Sequence, residues 1–178
     1  MDKKNAILRG INVGGKRKIR MTDLKLLCEE LGLKNVETYI QSGNLLFNSD
    51  KRSFELENDL TKAIAEKFGF DVPVIVRTEK ELEVSINKNP FFVENMDTGQ
   101  LHLTFLKEIP NSENIEKIRT YNYEPDKFEI DDKDVFVFCA GKYHESKLTN
   151  IFFEKQLAVD ATTRNWKTIL KLSELCKD

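Results

Sequence analysis

The feature that most constrains this chain is an internal echo. Leu31-Gly32-Leu33 leads into Val36, and Phe68-Gly69-Phe70 leads into Val72. Each junction is a helix end, a glycine stop, an apolar residue and the start of a strand, the echo that a split βαβ, ferredoxin-like sheet should show. Around this repeat the first half reads as βαββαβ. A strand is expected from Asn5 to Ile11, broken by Gly10 and the Gly14-Gly15 pair. A helix follows, with Thr22 as its cap and Met21, Leu24, Leu27, Cys28 and Leu31 on one face. Val36 to Ile40 and Leu45 to Asn48 form a hairpin about Ser42-Gly43-Asn44. Ser53 opens a second helix carrying Phe54, Leu60, Ile64 and Phe68, and Val72 to Arg77 is the last strand.

The second half repeats this more loosely. A short helix over 79–87 and a loop bracketed by Pro90 and Gly99 precede a strand from Leu101 to Lys107. A helix capped by Ser112 follows, then a hairpin of Phe128–Ile130 and Val135–Cys139 around Asp131-Asp132-Lys133-Asp134. Helices over 147–156 and 163–175 end the chain, giving βαββα and one more helix. The expected architecture is α+β, with two ferredoxin-like subdomains of βαββαβ type, as a duplication would produce. The boundaries expected are 1–97 for the N-terminal subdomain and 98–178 for the C-terminal one.

The 178 residues hold 28 Lys plus Arg against 30 Asp plus Glu, a net charge of −2. Residues 1–20 alone carry +6, so the remainder sums to −8. A basic island on an acidic body can focus an anion. No apolar stretch reaches the roughly 18 residues of a membrane helix, and Met1-Asp2-Lys3-Lys4 is followed by too short an apolar run for a secretory leader. Three scattered cysteines, Cys28, Cys139 and Cys176, suggest neither a disulfide framework nor a zinc site, so a cytoplasmic protein without metal or cofactor is expected.

Gly10-Ile11-Asn12-Val13-Gly14-Gly15-Lys16-Arg17 matches G-x-x-x-x-G-K-[ST] except at its last position, where arginine cannot hold magnesium. The helix also starts too late for a phosphate to rest on its N-terminus. What survives is a glycine-rich loop with Lys16, Arg17, Lys18 and Arg20 beside it, able to take phosphate without hydrolysing it. Thr162-Thr163-Arg164-Asn165-Trp166 offers a phosphate contact at Arg164 and a stacking surface at Trp166, although Thr163 equally suits a helix cap. His102 and His144 have no metal-ligand spacing. Ser85-Ile86-Asn87-Lys88 fits S-x-x-K without its companion motifs. The strand Asn44-Leu45-Leu46-Phe47-Asn48 lacks the aromatics of an RNA-binding platform, and net acidity disfavours broad nucleic-acid contact.

Leu8-Arg9-Gly10-Ile11-Asn12-Val13-Gly14-Gly15, Met21 and Thr38-Tyr39-Ile40-Gln41-Ser42-Gly43-Asn44 resemble the bacterial domain of unknown function 1697 family. The resemblance continues through Asn89-Pro90-Phe91, Ser146-Lys147-Leu148 and Thr163-Arg164-Asn165-Trp166-Lys167-Thr168. It implies two ferredoxin-like subdomains and no known activity. It singles out Arg9, Asn12, Ser42, Asn44, Lys147, Arg164 and Asn165 as polar members of its blocks. The expected function is a binding protein for a phosphate-bearing small molecule or nucleic-acid end. Arg9, Lys16, Arg17 and Arg164 would hold phosphate, Asn12, Ser42 and Asn44 would orient the ligand, and Trp166 would stack. The alternatives are an enzyme using Lys147 or His144 as acid/base, or an adaptor docking through Phe91-Phe92-Val93.

Overall fold

The computed structural model describes residues 1–177 and contains two four-stranded antiparallel sheets and six α-helices among them. The first half runs β1 (Asp2–Leu8), α1 (Met21–Glu30), β2 (Lys34–Tyr39), β3 (Asn44–Ser49), α2 (Ser53–Phe68), β4 (Val74–Thr78) and α3 (Glu79–Lys88). Its sheet has the order β2-β3-β1-β4. Alternation along the strands sends Ala6, Leu8, Leu45, Phe47, Val74 and Val76 to one face. There they meet Leu24, Leu27 and Cys28 of α1 and Leu56, Leu60 and Ile64 of α2. Burying each large aliphatic side chain is worth about 1.5–3 kcal/mol, so this face is the main stabilising surface of the unit.

The second half runs β5 (Leu101–Leu106), α4 (Ser112–Arg119), β6 (Lys127–Asp131), β7 (Asp134–Phe138), α5 (Asn150–Leu157), β8 (Ala161–Asn165) and α6 (Trp166–Lys177). Its sheet order, β6-β7-β5-β8, repeats that of the first sheet strand for strand. The eighth strand corrects the sequence expectation, which began a helix at Thr163. Residues 161–165 instead pair antiparallel with β5, with Leu103 opposite Arg164 and Thr104 opposite Thr163. Thr162 and Thr163 are β-branched and favour this extended geometry. The helix begins at Trp166, where the Asn165 side chain accepts the Thr168 N–H at 2.9 Å.

Other helix starts also shift. Arg20, not Thr22, precedes α1, without a side-chain capping bond. Asn111, not Ser112, caps α4 by accepting the Asn114 N–H at 3.1 Å. Helix α5 starts at Asn150 rather than near Lys147, behind Thr149 as its cap.

The chain divides into two compact units, Met1–Glu83 with the C-terminal stretch from Leu172, and Val84–Lys171. The division runs within α3 and α6 rather than at the loop expected to join the halves at 97/98. Residues 84–97 belong to the second unit because they pack on its sheet. Ser85 donates to Asp134, and Lys88 pairs with Asp131 at 2.7 Å. The Phe91 and Phe92 rings lie 6.4 Å from Phe138 and 6.1 Å from Trp166. Among the described residues, no helix is long and apolar enough to cross a membrane.

Candidate functional site

Between β1 and α1 the chain makes a small hairpin. Val13 and Lys16 form an antiparallel bridge, with the Lys16 N–H bonded to the Val13 carbonyl at 3.1 Å. The two residues between them, Gly14 and Gly15, have φ of 57° and 73°. Two positive angles in a two-residue turn are the geometry that glycine pairs supply. One step further out, the Asn12 N–H bonds the Arg17 carbonyl at 3.2 Å.

The Asn12 side chain then extends the hairpin where the backbone ladder ends. Its Oδ1 accepts the Ile19 N–H at 2.9 Å, and its Nδ2 donates to the Ile19 carbonyl at 3.0 Å. The same Nδ2 donates to the Gln41 carbonyl at 2.8 Å, tying the loop to the tip of the β2–β3 hairpin. Asn12 holds φ at 56°, a left-handed conformation that asparagine tolerates better than most residues. Its amide is thus engaged in holding the loop.

The tip it reaches is itself tightly built. Asn44 is fully buried and donates to the Tyr39 carbonyl at 3.0 Å and to Ser42 Oγ at 3.2 Å. Gly43 has φ of 85°, and its carbonyl accepts the Leu8 N–H at 2.9 Å. A Cβ there would lie 2.6 Å from Ile11 Cδ1.

This frame presents cations. Residues 9–20 contain Arg9, Lys16, Arg17, Lys18 and Arg20 and no carboxylate. Lys16, Lys18 and Arg20 are exposed, whereas Arg9 and Arg17 are half-buried. Arg17 lies back over Gly10, with Nη1 3.5 Å from where a Cβ on that glycine would stand. Among the described residues, Lys16, Arg17, Lys18 and Arg20 have no carboxylate partner. Several cations elsewhere are paired, as in Lys51–Asp59 at 2.7 Å, Lys67–Glu30 at 3.1 Å and Arg119–Glu129 at 3.0 Å. Sequence reading had placed Lys18 and Arg20 beside the loop but not among its ligand contacts. Their signal was the acid-free run itself.

Arg9, Asn12, Lys16, Arg17, Ser42 and Asn44 therefore gather on one loop and its neighbouring hairpin tip. The other four candidates belong to the second unit. Lys147 is exposed in the turn before α5. Arg164, on β8, is buried and donates from Nη1 to Thr162 Oγ1 and the Thr163 carbonyl, each at 2.9 Å. Burial pushes its pKa down to about 10. Trp166 is fully buried beside Phe92, so its ring offers no open face to a base. Asn165 is the helix cap described above.

The second unit also holds a polar network that sequence reading missed. His102 on β5 stacks on Tyr143 with ring centroids 4.4 Å apart. Tyr143 Oη accepts the Asn150 N–H at 2.7 Å, Thr163 Oγ1 donates to Asn150 Oδ1 at 3.0 Å, and Thr104 meets Thr163 at 2.7 Å. Nearby, Ser146 Oγ donates to Asp126 at 2.5 Å. Burial lowers the His102 pKa and raises those of Tyr143 and Cys139. These bonds join β5, β8 and the start of α5. Only the isolated residue types were visible in sequence, because the partners lie on separate elements. His144, the histidine considered as a base, is exposed and stands 3.7 Å from Glu145.

The family model described as "Protein of unknown function (DUF1697)" matches residues 1–136. That span includes the loop and the hairpin tip, while Lys147, Arg164, Asn165 and Trp166 lie beyond it. No curated protein matches the chain. Among solved structures, the chain is similar to the conserved bacterial protein SP0830 from Streptococcus pneumoniae. The two are 23% identical over 98% of each chain, with a TM-score of 0.80, a likeness of fold. The chain belongs to the DUF1697 family.

Proposed function

We propose that this family member is a cytoplasmic binding protein for a phosphate-bearing ligand, held by the basic loop of its first unit. The observation that carries the reading is the run Lys16, Arg17, Lys18 and Arg20, without carboxylate partners among the described residues and mounted on a loop that Asn12 pins at Ile19 and Gln41. Cations that no acid neutralises attract an anion with little competition from within the protein, and a pinned loop loses little conformational freedom when it binds. Arg9 and Arg17 would contact phosphate from the base of the loop, and the three exposed cations from its rim. Asn12, Ser42 and Asn44 support the site by holding its shape.

Two other surface clefts suit an anion less well. The cleft bordered by Lys107, Glu108, Glu154 and Asp160 has more acid than base. In the cleft lined by Lys3, Lys25 and Glu37, Lys25 already has Glu29 at 4.0 Å. An enzymatic reading through Lys147 or His144 has no buried general base or bonded partner set to support it. The repeated strand order supports a finer reading of the fold, in which each half is ferredoxin-like and the chain is a duplication.

A thermal-shift series with inorganic phosphate, nucleoside monophosphates and sugar phosphates at low salt tests the function. A ligand at a hundredfold excess over Kd adds about 2.7 kcal/mol to native-state stability. The expected result is a salt-sensitive rise in Tm that disappears in the variant Lys16→Ala/Arg17→Ala/Lys18→Ala. No rise with any phosphate compound, from a folded protein, overturns the reading.

A further inference from the structure

The arrangement of charge along the loop narrows the ligand further, on the premise that the loop is the anion site. Exposure alternates from residue 16 to residue 20: Lys16, Lys18 and Arg20 face outward, Arg17 is half-buried and Ile19 is buried. Asn12 fixes the Ile19 backbone at both its N–H and its carbonyl, so Lys18 and Arg20 leave the chain on either side of a held point. Lys16 is fixed in turn by its bridge to Val13. The outward cations are therefore strung along the loop from separate backbone anchors. Arg17 and Arg9 stand apart from them, partly buried.

A phosphate monoester carries about −1.5 to −2 charges at neutral pH. Two cations neutralise it, and the rest of the run would remain unpaired and mutually repelling. A chain of two or three phosphoryl groups carries enough negative charge to meet the number of cations. The turn at Gly14-Gly15 leaves room for such a chain, because a Cβ at either glycine would have no atom within 4 Å. Open backbone amides at a glycine turn are good phosphate neighbours.

We infer that the ligand of this loop carries a linear chain of at least two phosphoryl groups, with Lys16, Lys18 and Arg20 along the chain and Arg17 at its inner end. The chain would be either an inorganic polyphosphate or the polyphosphate tail of a nucleotide.

Calorimetric titration at low salt tests this with inorganic phosphate, tripolyphosphate, a nucleoside triphosphate, and citrate as a non-phosphate trianion. The expected result is tripolyphosphate binding at least about tenfold tighter than either phosphate or citrate, a difference of about 1.4 kcal/mol. Lys18→Ala/Arg20→Ala should remove most of that preference, weakening tripolyphosphate binding several-fold more than phosphate binding. Lys142→Ala/Lys155→Ala, which removes the same charge from exposed positions of the second unit, should leave it intact. Tighter binding of the nucleoside triphosphate than of tripolyphosphate identifies a nucleotide tail, and equal binding an inorganic chain. Equal affinity for phosphate and tripolyphosphate, citrate binding as tightly as tripolyphosphate, or an equal loss in both double variants overturns the inference while the anion site stands. No binding of any phosphate overturns the site itself.

Discussion

The side chain of Asn12 closes on Ile19 at both backbone polar groups, accepting its N–H at 2.9 Å and donating to its carbonyl at 3.0 Å. A side-chain amide here does what a strand partner does elsewhere, and it holds the segment that carries Lys18 and Arg20. Asn12→Ala removes these bonds and the third one to Gln41. The expected loss is about 1–3 kcal/mol of stability. At about 2–4 °C per kcal/mol for a chain of this size, thermal unfolding resolves it. Phosphate affinity should fall in parallel, although no cation is altered; unchanged affinity would separate the loop's shape from its binding.

Gly43 sets the distance between the hairpin tip and β1. A Cβ there would lie 2.6 Å from Ile11 Cδ1 and 2.9 Å from Leu8 Cβ, on a backbone with φ of 85°. Gly43→Ala combines overpacking with strain and should destabilise by about 2 kcal/mol or more. Denaturant unfolding measures this directly, and a midpoint equal to wild type would show that the tip can move away from β1 freely.

Each unit protects an outer strand with a glutamate at the fifth position of a helix. Glu57 of α2 accepts the Val76 N–H of β4 at 2.9 Å, and Glu154 of α5 accepts the Ala161 N–H of β8 at 3.2 Å. Glu57 is 6% exposed. Glu57→Ala leaves the Val76 amide without this acceptor and should lower stability by about 1–3 kcal/mol. Hydrogen exchange at Val76 should accelerate more than exchange across the second unit, and uniform acceleration would contradict a local role.

His102 gives the second unit an acid-sensitive contact. Burial lowers its pKa from the ordinary 6.5, and its Nδ1 has no hydrogen-bond partner among the described residues. Below about pH 6.5 the unfolded chain takes up a proton that the folded state resists, so unfolding becomes easier as pH falls. The contribution is complete above that pH and declines toward the lowered folded-state value. His102→Phe keeps an aromatic ring against Tyr143 and should flatten the dependence of Tm on pH below about 6.5. An unchanged slope would assign the acid sensitivity to other groups.

Much of the fold was legible because it is written in local signals. The helices ending near Gly32 and Gly69 and the Ser42-Gly43-Asn44 tip combine apolar periodicity with glycine stops, and both survive in the structure. Strand β8 escaped notice because Ala161-Thr162-Thr163-Arg164-Asn165 is short and polar and runs directly into the apolar period of Trp166, Ile169 and Leu172. Its identity as a strand comes from pairing with β5, some 60 residues earlier in sequence. The candidate site was legible as composition, in the acid-free run from Arg9 to Arg20. The role of Asn12 was not, because it depends on the Ile19 backbone and on Gln41 in a different hairpin. Arg164 and Trp166 looked available because sequence does not report burial.

The most direct test of the account is a residue-resolved titration, following the backbone amides of the 15N-labelled protein by NMR as tripolyphosphate is added. The account predicts saturable shifts centred on residues 9–20, with smaller ones at Gln41, Ser42 and Gly43 through the Asn12 link. Shifts centred on another surface, or none at millimolar tripolyphosphate, would contradict the assignment of this loop as the anion site.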